Sequence, residues 1–141
     1  MEIAIIAADS KKELMTEFCI AYQAILCKHN LYATDATGKY ISEATGLNIE
    51  CVMSGPQGGV DQIASRIAFN EIDLLLYFRN TIAAPQYKES EYNILRLCDI
   101  YNVPLATNIA TAEALILALD QGTLDWRDLV NPKSKMNRKV Q

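Results

Sequence analysis

A lysine ammonium, hydroxyl donors and a glycine-rich loop are the groups that hold a phosphate monoester, and this chain carries them at Lys12, Thr34, Thr37 and Ser54. The loop runs Met-Ser-Gly-Pro-Gln-Gly-Gly-Val-Asp-Gln from Met53 to Gln62, with Gly55, Gly58 and Gly59 inside five positions. Such glycines let the backbone turn sharply and present N–H groups to anionic oxygens. Each piece also has a plainer reading: Lys12 as a solvated helix residue, Thr37 as a helix cap, Ser54 and Gly55 as an ordinary turn. Their common place in the fold has to decide.

The elements that would position them follow from the apolar pattern. Strand-like runs at Ile3–Ala8, Leu31–Thr34, Asn48–Met53, Asp73–Phe78 and Pro104–Thr107 are short and apolar enough to be covered on both faces. Between them the period turns helical. Leu14, Phe18, Tyr22, Ile25 and Leu26 make a first helix capped by Asp9 or Ser10. Thr37–Ala44, Val60–Asn70, Glu89–Tyr101 and Thr111–Leu119 give four more, the last with Thr111 as its N-cap. This alternation predicts an α/β fold, a three-layer α/β/α sandwich on a mainly parallel five-stranded sheet.

Ligands of such sheets gather beyond the carboxyl ends of the strands. Those ends bring together Asp9-Ser10-Lys11-Lys12, Thr34-Asp35-Ala36-Thr37-Gly38, Ser54-Gly55 with the glycines that follow, Arg79-Asn80-Thr81, and Thr107-Asn108. One rim therefore collects the phosphate-binding set.

Length and charge bound the alternatives. The 141 residues suit one domain, and 50% hydrophobic with 21% charged residues is the balance of a folded chain. The expected division is an α/β domain over 1–122 and a tail over 123–141. That tail holds Trp126, Arg127 and Pro132 and ends in Lys133, Lys135, Arg138 and Lys139. It reads either as a frayed end or as a segment that docks on its own or a neighbouring subunit and brings a cation to an anionic site. A net charge of −4 argues against a nucleic-acid partner, which would need a basic face. Cys19, Cys27, Cys51 and Cys98 lack C-x-x-C spacing and His29 is the single histidine, so no metal cluster is expected and the thiols read as reduced core residues of a cytoplasmic protein. The apolar start lacks a basic leader, and no run approaches the roughly 18 apolar residues of a membrane span.

The motifs taken together resemble the methylglyoxal synthase family, from Ile3 to about Ala114. The similarity is carried by Leu-Tyr-Ala-Thr at 31–34, Thr37-Gly38, Ala44-Thr45-Gly46, Ser54-Gly55-Pro56 with Gly58-Gly59, and Pro104-Leu105-Ala106-Thr107-Asn108. The resemblance implies a cytoplasmic homohexameric lyase that converts dihydroxyacetone phosphate to methylglyoxal and phosphate without metal or organic cofactor. In it a carboxylate removes a carbon-bound proton, a histidine moves protons between oxygens, and phosphate leaves into the donor cradle. It places substrate and phosphate contacts on Lys12, Thr34, Asp35, Ala36, Thr37, Ser54 and Gly55, and puts Tyr87 at the edge of the same site. The fold also resembles regulatory domains of carbamoyl phosphate synthetase and the cyclohydrolase domain of purine synthesis, an analogy that favours a binding role.

The departures fall on the proton carriers. The family's aspartate after the paired glycines corresponds to Val60, its first-strand histidine to Ala8 and its later histidine to Tyr87, while supporting carboxylates correspond to Asn80 and Ser90. Asp9 stays in place, and Asp61 stands one residue past the expected base. Valine accepts no proton, and a tyrosine with a reference pKa near 10 shuttles poorly at neutral pH. In the phosphate loop, Asp35 replaces a usual glycine and Ala36 a usual hydroxyl residue, so an inward Asp35 would repel the anion. The expectation is a phosphate-ligand binder with weak or absent synthase activity. The alternative is an active synthase in which Asp61 serves as a displaced base, with Asp9 or Tyr87 in altered roles.

Overall fold

The computed structural model describes residues 1–53, 58–82 and 88–134. Five strands, β1 (Glu2–Ala7), β2 (Asn30–Thr34), β3 (Ile49–Val52), β4 (Leu74–Phe78) and β5 (Leu105–Ala106), form one sheet in the order β3-β2-β1-β4-β5. Each of these pairings is parallel, with Ile3 opposite Leu31 on one side and Leu74 on the other. Helices α1 (Lys12–Ala21), α2 (Gln23–Leu26), α3 (Asp35–Thr45), α4 (Gly59–Ala68), α5 (Lys88–Tyr101) and α6 (Ile109–Asp120) supply the outer layers.

Strand alternation builds two cores. Ile3, Ile5, Leu31, Ala33, Leu74, Leu76 and Phe78 face one way, against Met15, Phe18, Ile41 and Ile116 of α1, α3 and α6. Ala4, Ile6, Tyr32, Leu75 and Tyr77 face the other way, against Val60, Ile63, Ile67 and Ile94 of α4 and α5. The three-layer sandwich is thus a direct consequence of period-two strands apolar on both sides. Edge strand β3 departs from the expectation of full covering: Glu50 and Cys51 are exposed, and among the described residues no further strand pairs beyond it.

Several local readings need correction. Neither Asp9 nor Ser10 caps the first helix; both lie in a 3-10 turn, Asp9–Lys11, and α1 starts at Lys12 without a side-chain cap. The first helix also breaks at Tyr22 (φ −109°, ψ 21°), where the chain restarts as α2. Thr111 is not the cap of α6 but the residue capped, its N–H donating to Asn108 Oδ1 at 3.1 Å. Cys19 and Cys98 are buried thiols, whereas Cys27 and Cys51 are exposed.

The tail docks on its own chain as far as it is described. A 3-10 turn over Asp125–Leu129 drives Arg127 into a fully buried site against Asp73, the residue just before β4. Asn131 follows it inward and donates to both oxygens of Asp73. The tail's buried cation therefore meets an anion of this chain at the amino edge of the sheet, the end opposite to the rim. Lys135, Arg138 and Lys139 lie outside the described residues.

Candidate functional site

The rim forms where β1 and β2 end. Ala7, the last residue of β1, receives two side chains: Thr37 Oγ1 donates to its carbonyl at 3.4 Å and accepts from its N–H at 3.3 Å. Thr34 Oγ1 donates to the same Thr37 oxygen at 3.2 Å. Lys12 Nζ reaches the Ala7 carbonyl at 3.4 Å and pairs with Asp9. Ammonium and threonine hydroxyl thus converge on one carbonyl oxygen. The Lys12 side chain is only 13% exposed, so it is not the solvated helix residue of the plain reading. Asp9 is fully exposed and serves as the counter-ion that steers it.

The two threonines do something other than what their types suggested. Both are buried, and their hydroxyl protons are committed within the cluster. Thr37 joins α3 to β1 rather than presenting a free donor. The first turn of α3 is the other source of donors: Thr34 makes no side-chain cap bond, so the N–H groups of Ala36 and Thr37 have no side-chain acceptor among the described residues. A helix start with no side-chain cap leaves such groups for an anion. Ala36 therefore keeps its donor although it lacks a hydroxyl. Asp35 turns along its own helix to Lys39, 3.2 Å away, which offsets its charge at the mouth. Close packing also fixes this turn, since a Cβ on Gly38 would stand 2.4 Å from Cys51 Sγ. Burial, then the charge of Asp35, pushes the Cys51 thiol up.

Because Thr37 satisfies the Ala7 N–H, Thr37→Val should leave a buried donor unpaired and cost about 1–3 kcal/mol. Thr37→Ser should lose much less. Urea unfolding of the two variants checks this, and a larger loss in Thr37→Ser than in Thr37→Val would show that the methyl, not the hydroxyl, matters.

The opposite wall belongs to β4, α4 and α5. Val60 is buried among Ile63, Ile67 and Tyr77. Asp61 is exposed in the first turn of α4 and accepts a hydrogen bond from Ser90 Oγ of α5 at 3.3 Å. Arg79, one residue past β4, pairs with Glu91 at 2.8 Å. Burial, then Glu91, pushes the Tyr77 phenol up to about 12, so it stays neutral. The structure therefore groups Lys12, Asp9, Thr34, Asp35, Ala36 and Thr37 on one wall and sets Asp61 on the other; Ser54, Gly55 and Tyr87 lie outside the described residues.

Gln62 escaped the sequence reading. Its side-chain carbonyl accepts the Met53 N–H at 2.8 Å while its own N–H donates to the Gly58 carbonyl at 3.0 Å, so one residue ties both flanks of the glycine loop. A polar residue in a helix's first turn was its only signal. Among the described residues no group of three or more His, Cys, Asp or Glu side chains could hold a metal ion, and no helix is long and apolar enough to cross a membrane. A groove of about 690 Å³ lies at the other end of β2 and β3, lined by Gln23, His29, Asn30 and Leu47 among others, and is remote from the rim donors.

Comparison with known proteins agrees with this architecture. Residues 14–107 match the model of the MGS-like domain. The chain is similar to a methylglyoxal synthase of Caldicellulosiruptor saccharolyticus, 54% identical over 138 residues that cover 98% of each chain. It is also similar to one of Listeria welshimeri, 52% identical over 129 residues, 92% of this chain and 96% of that one. The crystal structure of methylglyoxal synthase from Elizabethkingia anophelis superposes with a TM-score of 0.75 at 38% identity, covering 82% of this chain and 76% of the other. With fold and near full-length similarity in agreement, the chain belongs to the methylglyoxal synthase family.

Proposed function

We propose that this chain binds a small phosphorylated metabolite of the dihydroxyacetone phosphate type, or phosphate itself, at the rim of β1 and β2, and that its synthase activity is weak or absent. The observation that carries the reading is the mostly buried Lys12 ammonium held at the Ala7 carbonyl beside the first turn of α3, which has no side-chain cap. That arrangement supplies a point charge and preformed dipoles, the pair that favours a phosphate. Ser54, Gly55 and Tyr87 complete the proposed site. The proton carriers of the family correspond to Val60, Ala8, Tyr87, Asn80 and Ser90, none of which is a carboxylate or imidazole. We further read the protein as a cytoplasmic homohexamer that needs no cofactor, with residues 1–122 as the binding domain and 123–141 as its tail.

An active synthase is the second reading. What favours it is the exposed Asp61 carboxylate, held by Ser90 in the first turn of α4.

Phosphate protection against unfolding tests the binding. At inorganic phosphate near 100 times its dissociation constant, the native state should gain about 2.7 kcal/mol. Lys12→Ala should remove most of that gain. Equal protection of wild type and variant, or none in the wild type, would sink the reading.

A further inference from the structure

We propose that Gln62 is a positioning residue: acting through the Met53 peptide, its side-chain amide on α4 holds the start of α3, the helix whose first turn forms the phosphate wall. This rests on the phosphate-binding reading above and adds the group that keeps that wall in place.

The connection crosses three elements. Gln62 stands near the start of α4, and its Oε1 accepts the Met53 N–H at 2.8 Å. The carbonyl of the same Met53 accepts the Asp35 N–H at 3.5 Å, and Asp35 opens α3. One side-chain oxygen therefore reaches, across a single residue, the first peptide of the helix that offers the N–H groups of Ala36 and Thr37.

Met53 depends on this bond. Strand β3 ends at Val52, and its last register pair is Thr34 with Val52, so the Met53 peptide lies past the ladder of an edge strand. Burial does not fix it either, since Met53 is 49% exposed. Gln62 is better anchored: its own N–H donates to the Gly58 carbonyl at 3.0 Å, and α4 is seated by the fully buried Ile63 and Ile67. A seated helix thus lends its position to an edge residue.

Two ties hold the first turn of α3. Thr37 fastens it to Ala7 of β1, and Asp35 fastens it to Met53 after β3. With the second tie loosened, the turn can pivot on the first. Helix N–H groups point along one axis, so a pivot re-aims them together, and hydrogen bonds weaken steeply as they leave linearity.

Calorimetric titration of the full chain with inorganic phosphate tests this, in about 0.5 M sodium chloride so that an added surface charge is screened. Gln62→Met removes the acceptor at similar side-chain length and should weaken binding about fivefold, the scale of one neutral hydrogen bond. Gln62→Glu keeps an acceptor oxygen and should bind within about twofold of wild type. Amide hydrogen exchange supplies a readout that a general loss of stability would not give: in Gln62→Met the N–H groups of Asp35 and Met53 should exchange faster while those of Ile5 and Leu75, in the middle of the sheet, keep the wild-type rate. Undiminished binding by Gln62→Met, an equal loss in Gln62→Glu, or faster exchange throughout the sheet would overturn the proposal and leave phosphate binding standing. Absence of phosphate binding by wild type would instead overturn the phosphate site and this inference with it.

Discussion

Dihydroxyacetone phosphate supplied to the purified protein should yield methylglyoxal at least about 10⁴-fold more slowly than with a family member that carries the aspartate and histidines. Positioned acid–base groups are typically worth about 10²–10⁴ in rate each, and in the function proposed above two of the family's positions fall on Val60 and Ala8. Val60 lies buried in the apolar cluster of α4 and carries no group that accepts a proton. Asp61 is the one carboxylate nearby in sequence, and a single helical step turns a side chain by about 100° away from the position of its neighbour. That turn brings it against Ser90 instead. Asp61→Asn should therefore leave any residual rate unchanged. The measurement is a coupled assay of methylglyoxal on wild type and Asp61→Asn side by side. A wild-type rate comparable with active relatives that disappears in Asp61→Asn would establish the displaced-base reading in place of ours.

The largest effect on stability should come from Arg127→Met, at about 3–5 kcal/mol, the cost of leaving one half of a buried ion pair alone. Arg127 donates to Asp73 Oδ1 at 3.2 Å, to the Ile72 carbonyl at 2.8 Å and to the Tyr101 carbonyl at 3.2 Å. Removing it orphans two carbonyls and leaves the Asp73 charge to Asn131 and the Glu2 N–H. Arg127→Met/Asp73→Asn should cost less than the sum of the single changes, because the second change removes the stranded charge. Urea unfolding of the four proteins measures this as a shift of midpoint at constant slope. A loss below about 1 kcal/mol in Arg127→Met would mean that the segment after Gly122 opens easily and adds little to the fold.

Legibility in the sequence followed the range of the interactions. Strand existence and order of elements came through because alternation of apolar residues is local, and β1, β2 and β4 are apolar enough to state their double burial outright. Cap positions were harder. Thr111 and Asn108 are both good capping types three residues apart, and which one accepts the bond depends on where the backbone leaves β5. Burial of the tail could not be read from Arg127, since its partner Asp73 lies 54 residues earlier.

By itself the sequence determined a parallel α/β sheet and the family resemblance of its motifs, because residue type and period settle both. Tertiary structure alone decided that Thr37 secures β1, that Asp61 meets Ser90, that Arg79 pairs with Glu91, and that Arg127 closes the opposite edge of the sheet. A hydrogen bond goes to whichever partner the fold brings within about 3 Å, and that proximity is a property of packed elements, not of spacing along the chain.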